Sequence, residues 1–128
     1  MDRYARILVV DDDEKIRNTV KTILEDEGYI VDLAATGKEA IKRTEETAYN
    51  LALLDIRLPD IEGVDLLKLM KDAVPRTRKI MLTGVHHYRN AVAALNKNAD
   101  AYLIKPIDIE KLLNTVKEQL QLRETEKG

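Results

Sequence analysis

Four short apolar runs each end on a residue that could handle a phosphoryl group. Ile7 to Val10 runs into Asp11, Asp12 and Asp13; Leu51 to Leu54 into Asp55; Ile80 to Leu82 into Thr83; and Tyr102 to Ile104 into Lys105 and Pro106. Carboxylates, a hydroxyl and an amine are together enough to bind a divalent cation, attack phosphorus and hold phosphoryl oxygens. If the runs are parallel strands, their carboxyl ends share one edge of a sheet, and groups far apart in sequence meet in one pocket.

The elements needed for that are legible in the periodicity. Ile16, Val20, Ile23 and Leu24 mark one face of a first helix, with Gly28 as its stop. Ile30 to Ala34 reads as a strand, Lys38 to Glu46 as a helix, and the run to Asp55 as a strand buried on both faces. Pro59 and Gly63 bracket a loop, a helix carries Leu66, Leu67 and Met70 inward, and Pro75 precedes the strand to Thr83. Tyr88, Val92 and Leu95 give a further, less apolar helix face. Ile109, Leu112, Leu113, Val116 and Leu120 define the last helix. Alternating strands and helices predict a doubly wound α/β domain, a five-stranded parallel sheet with helices on both faces, and the flavodoxin-like order 2-1-3-4-5 is expected partly by analogy with other five-stranded domains of this class. Its topological switch point falls between the strands that end on Asp11 and Asp55.

Composition narrows the function classes. A chain of 128 residues suits one domain, expected over residues 1–122, with 123–128 as a charged tail or the start of a linker. Twenty-one basic against twenty-three acidic residues leave a net charge of −2, which points to neither nucleic acid nor an anionic membrane as partner. Absence of cysteine removes disulfides, thiolate catalysis and Cys-zinc sites. No apolar run reaches the roughly 18 residues that suggest a bilayer span, and no signal peptide is evident, so a cytoplasmic protein is expected.

Each group has an ordinary reading of its own. Asp11 to Asp13 could cap the next helix, Thr83 before Gly84 could be a turn hydroxyl, Lys105 a solvated charge, and Tyr102 an unremarkable strand aromatic. Asp55 after a fully apolar strand is harder to dismiss, since acids rarely sit there without a partner. The joint arrangement outweighs the separate readings, because unrelated caps and turns have no reason to place complementary chemistry at successive strand ends. Adjacent carboxylates repel, and a hard cation with oxygen ligands relieves that cost; magnesium is the natural candidate and Asp55 the candidate nucleophile.

With these residues in place, the chain resembles the receiver domain of two-component response regulators from Ile7 to about Leu120. The resemblance implies Asp55 as phosphoacceptor, Asp12 as a direct ligand of Mg²⁺ (or Mn²⁺), Asp11 as its acidic partner, and the backbone carbonyl of Arg57 as a further metal contact. It implies Thr83 as switch hydroxyl, Lys105 as phosphate-sensing amine, Tyr102 as switch aromatic, and a cis peptide between Lys105 and Pro106. Asp13 is then mainly a helix start. The implied partners are a sensor histidine kinase or phosphotransfer protein and a downstream partner or output domain. A phosphorylation-dependent homodimer is a further implication, with no direct nucleic acid binding by this domain. The implied role is a signalling switch, acting through the helix after the fourth strand, the last strand and the last helix. Such a domain is not an enzyme, beyond promoting its own phosphorylation and dephosphorylation.

Some positions depart from the family pattern. Arg57 and Val85 occupy sites that tune phosphoryl lifetime, Asn98 stands where many relatives have glycine, and Ala101 and Thr115 replace an acid and an arginine common in regulators with winged-helix outputs. Asp11 to Asp13 also contains the D-x-D spacing of haloacid-dehalogenase-like phosphatases, but Glu14 and Lys15 depart from that pattern and no cap insertion is evident. A receiver that binds partners without phosphorylation is the other alternative. No G-x-x-x-x-G-K-[S/T] loop supports a nucleotide hydrolase, and His86 and His87 read as loop and helix-start residues.

Overall fold

A computed structural model of the chain describes residues 5–84 and 98–125. Strand β1 (Arg6–Val10) leads into helix α1 (Glu14–Asp26), followed by β2 (Ile30–Ala34), α2 (Gly37–Glu46), β3 (Leu51–Asp55), α3 (Gly63–Ala73) and β4 (Arg78–Gly84). β5 (Ala101–Lys105) and α4 (Ile109–Thr125) complete the described elements. All neighbouring strands pair in parallel, in the order β2-β1-β3-β4-β5. This is the expected flavodoxin-like order, with β1 and β3 side by side at the switch point. The expected helix face of Tyr88, Val92 and Leu95, together with Val85, His86 and His87, lies outside the described residues.

Local chemistry sets the helix ends. The Asp13 side chain caps α1 by accepting from the backbone N–H groups of Lys15 and Ile16. Gly28, at φ 96°, takes the left-handed conformation that ends the same helix. Helix α2 begins at Gly37, one position before the expected start, because Thr36 supplies the cap by accepting from Glu39 N–H.

The sheet buries two cores. Ile7, Val9, Leu51, Leu53, Ile80 and Leu82 pack with Val20 and Leu24 of α1 and Leu112, Val116 and Leu120 of α4. Leu8, Val10, Ala52, Leu54 and Met81 pack on the opposite face with Ala40 of α2 and Leu66, Leu67 and Met70 of α3. β3 feeds both cores and is buried along its whole length. At roughly 1.5–3 kcal/mol for each large apolar side chain removed from water, displacing this central strand would be costly.

That rigidity positions the acids. Side chains alternate between faces along a strand. Val9, Leu53 and Leu103 face the α1/α4 core, and two residues further on lie Asp11, Asp55 and Lys105. Met81 and Tyr102 belong to the α2/α3 side, and Thr83 follows Met81 by the same step.

The last helix shows two features beyond its spacing. Ile109 shares the helical spacing of the core residues but is 55 % exposed, and it lines a groove beside α1 instead. The helix also runs to Thr125, and Arg123 Nε donates to the Arg76 carbonyl at 3.0 Å. Residues 123–125 are therefore helical. Farther in, buried Gln119 accepts from Arg78 Nε and Nη2 at 2.9 and 2.7 Å, fastening α4 to the start of β4. Among the described residues no helix is long and apolar enough to cross a membrane.

Candidate functional site

Asp11 is wholly buried just beyond β1, and every part of it is engaged. Its N–H donates to the Ala34 carbonyl at 3.1 Å, and its own carbonyl accepts from Arg17 Nη1 at 2.7 Å. Oδ1 accepts from Asp13 N–H at 2.9 Å, and Oδ2 lies 3.0 Å from Lys105 Nζ. Asp55, at the end of β3, accepts from Arg57 N–H through Oδ1 at 3.2 Å and approaches Lys105 Nζ through Oδ2 at 3.4 Å. Its side chain keeps 8 % of its surface open to solvent, a narrow opening rather than a sealed chamber. Asp12 is exposed at the mouth, and one carboxylate oxygen from each of Asp11, Asp12 and Asp55 lies within 4.8 Å of the others.

Three carboxylates facing one ammonium leave the pocket formally negative. Burial and then the charge of Asp11 push the Asp55 carboxyl up to about 6, against the pull of Lys105 and the Arg57 N–H. For Lys105, burial opposes the charge, but the bond to Asp11 and the carboxylates of Asp55 and Asp11 outweigh it and hold the amine above its ordinary value. The ammonium thus persists and partly compensates the acids. An all-oxygen set with no nitrogen or sulfur donor suits a hard divalent cation, so the donor chemistry of Asp11, Asp12 and Asp55 fits a metal ion such as magnesium.

The loop after β3 is closed tightly over the site. Gly63 N–H donates to the Ile56 carbonyl at 2.7 Å, and Arg57 and Glu62 form an isolated antiparallel bridge. A Cβ on Gly63 would sit 2.5 Å from the Asp55 carbonyl oxygen and 2.5 Å from Ile56 Cα, so only glycine allows this closure.

Of the residues singled out from sequence, Asp11, Asp12, Asp55, Lys105 and the Arg57 backbone converge. Asp13 turns away to cap α1. Thr83 is fully buried one step past the residue paired with Asp55, and its hydroxyl donates to the Gly84 carbonyl at 3.0 Å. Tyr102 is half-buried against the α2/α3 core, on the same side as Thr83. The peptide between Lys105 and Pro106 is cis. Sequence reasoning did not find Arg17, which braces the Asp11 backbone, or Asp60, which accepts from the N–H groups of Gly37 and Lys38. An arginine on the first turn after an acidic strand end is a weak signal, and an acid beside Pro59 looks like any turn residue.

Fold and site together define a receiver-type signalling domain. The family described as the response regulator receiver domain matches residues 7–117, and the chain belongs to it. Among solved structures, a CheY-like response regulator receiver domain protein from Methanospirillum hungatei JF-1 superposes with a TM-score of 0.91 at 46 % identity, covering 96 % of this chain and 98 % of that one. The uncharacterized transcriptional regulatory protein YkoG of Bacillus subtilis is 34 % identical over 91 % of this chain and 51 % of its own length. The regulatory protein AtoC of Escherichia coli is 34 % identical over 99 % of this chain and 28 % of its own length. The chain thus spans only about a quarter to a half of such curated relatives. These matches do not favour the phosphatase alternative.

Proposed function

We propose that the chain takes a phosphoryl group onto Asp55 and uses the resulting charge to change which surface it offers to a partner. The carrying observation is the convergence of Asp11, Asp12 and Asp55 within 4.8 Å, with Lys105 3.4 Å from the Asp55 carboxylate. In the reaction, a carboxylate oxygen of Asp55 attacks the phosphorus of a phosphohistidine. The O–P bond forms as the P–N bond breaks, and the departing imidazole nitrogen keeps the electron pair and takes a proton from solvent. Asp11, Asp12, Asp55 and the Arg57 carbonyl would hold Mg²⁺ (or Mn²⁺), which would supply charge neutralisation for the phosphoryl oxygens. Lys105 provides a second positive charge from the side of β5. Arg57 N–H fixes the orientation of Asp55, and the mostly buried setting excludes all but a narrow approach.

Switching follows from competition between hydrogen bonds. Thr83 donates to a neutral carbonyl, a bond of about 0.5–1.5 kcal/mol net, whereas a phosphoryl oxygen offers a charge-assisted partner at about 1.5–3 kcal/mol. Phosphorylation therefore draws the Thr83 hydroxyl away from Gly84, and the space it leaves on the α2/α3 side is open to Tyr102. Only such differential contacts shift a population between two states.

The donor is a sensor histidine kinase or phosphotransfer protein, and the readout is a downstream partner, an output domain or a second copy of the chain, all in the cytoplasm. A groove of about 320 Å³ between α1 and the Lys105–Pro106 turn, lined by Ile16, Val20, Ile23, Ile107 and Ile109, gives a donor an apolar foothold beside Asp55. The domain itself turns over no external substrate and makes no direct nucleic acid contact. Treatment with acetyl phosphate and Mg²⁺ followed by mass spectrometry should add one phosphoryl group to the natural chain and none to Asp55→Asn. Stoichiometric labelling of that variant would reject Asp55 as the acceptor.

A further inference from the structure

Asp60 lies on the loop between Asp55 and α3, yet its carboxylate is spent on another element. Oδ1 accepts from Gly37 N–H at 2.8 Å and Oδ2 from Lys38 N–H at 2.9 Å, so both oxygens hold the first turn of α2. Helix α2 already has a local cap, since Thr36 Oγ1 accepts from Glu39 N–H at 3.0 Å and Glu39 Oε1 accepts from Ala35 N–H at 2.6 Å. Ala40 N–H returns to the Thr36 carbonyl at 3.0 Å. Gly37 and Lys38 are the amides that this local cap leaves over, and a residue more than twenty positions away takes both. A helix N-terminus favours such a carboxylate through its aligned dipoles, and the Asp60 carboxyl is accordingly held below the ordinary range by those two N–H groups.

Packing ties the same two segments together. Gly37 is buried against Ile61, and a Cβ at that position would run into Ile61 Cγ2. The loop is thus gripped at Asp60 and Ile61 by α2 and closed at Gly63 on Ile56. Between these grips lies Arg57, whose N–H orients Asp55.

We infer that Asp60 is a positioning residue for the phosphoryl and metal site: by tethering the β3–α3 loop to the start of α2, it fixes the Arg57 backbone, whose N–H orients Asp55 and whose carbonyl would serve as a metal contact. This rests on the assignment of Asp55 and the Arg57 carbonyl above. Partners that orient metal ligands are commonly worth 10–100-fold in affinity, and a tether acting through one loop belongs at the lower end, about tenfold.

The test compares Asp60→Ala with Thr36→Ala, which removes a cap from the same helix end without touching the loop. Mg²⁺ affinity is measured on the unphosphorylated chain by NMR titration, and backbone exchange is followed at Arg57 and Gly63 in metal-free protein. Asp60→Ala should weaken Mg²⁺ binding about tenfold and speed exchange at both amides, Asp60→Glu should recover part of the loss, and Thr36→Ala should change neither readout. Unchanged exchange at Arg57 and Gly63 in Asp60→Ala, or equal weakening of Mg²⁺ binding in Thr36→Ala, overturns the tether. If exchange responds as expected but the natural chain itself fails to bind Mg²⁺, the metal-site reading falls and the positioning role falls with it.

Discussion

Replacing Asp55 by asparagine should make the metal-free chain more stable at neutral pH, although it destroys the proposed phosphoacceptor. The folded state holds the Asp55 carboxyl at about 6 against an ordinary value of 3.8, because burial and the charge of Asp11 both disfavour the ionised form. Below 3.8 the group is protonated whether the chain is folded or not, and it costs nothing. Between 3.8 and 6 the folded state binds the proton more tightly than the unfolded state, so stability falls as pH rises. Above 6 the full penalty is in place, and at 1.36 kcal/mol per pKa unit it comes to about 3 kcal/mol. Asp55→Asn removes the charge, while its amide oxygen can still accept from the Arg57 N–H that now lies 3.2 Å from Oδ1. The expected result is a gain of about 3 kcal/mol at pH 7.5, fading to near zero as pH drops through 6 toward 3.8. For a domain of this size the gain corresponds to about 10 °C in Tm. Urea unfolding followed by circular dichroism in EDTA measures it without the charge screening that guanidinium would add. Taking the difference between the two chains at each pH cancels the titration of groups that do not interact with Asp55. A variant no more stable than the natural chain at pH 7.5, or a difference that stays flat from pH 4 to 8, would refute the account of a strained acidic pocket.

Other perturbations read different parts of the site. Lys105→Met removes the ammonium 3.0 and 3.4 Å from two carboxylates, so Mg²⁺ should bind roughly tenfold tighter, one pKa unit's worth of interaction, while phosphorylation by acetyl phosphate slows; calorimetry showing weaker binding would count against the charge balance. Gly63→Ala places a Cβ 2.5 Å from the Asp55 backbone carbonyl and should cost about 1–3 kcal/mol by urea unfolding, as overpacking does. Thr83→Val keeps the shape but loses the hydroxyl. It should still be labelled on Asp55, yet show a much smaller phosphorylation-dependent change in the NMR signals of Tyr102, and a full-sized change would remove Thr83 from the switch.

How far the site was legible depends on the kind of regularity that carries each residue. Asp55 could be read because β3 is apolar without interruption, and an acid at the end of such a strand needs a partner. The doubly wound class followed from the alternation of elements and the strand order partly from analogy with flavodoxin-like domains, and together they sufficed to bring Asp11 beside Asp55 and Lys105 across from both. Strand parity carries further information: Ile7, Val9 and Asp11 fall on the face of Leu53 and Asp55, whereas Thr83 continues the opposite face with Met81. That difference explains why Lys105 touches the acids now and the Thr83 hydroxyl is satisfied by Gly84. Asp60 and Arg123 were not legible, because each finds its partner in a distant segment, and the surrounding residues match ordinary turn and tail composition. Local patterns report what a residue does within its own element; they are silent on backbone groups of another element that happen to point at it. A tether such as Asp60 therefore surfaces only once α2 and the loop after β3 are seen side by side, which makes the comparison of Asp60→Ala with Thr36→Ala a direct test of what tertiary placement adds to the receiver chemistry.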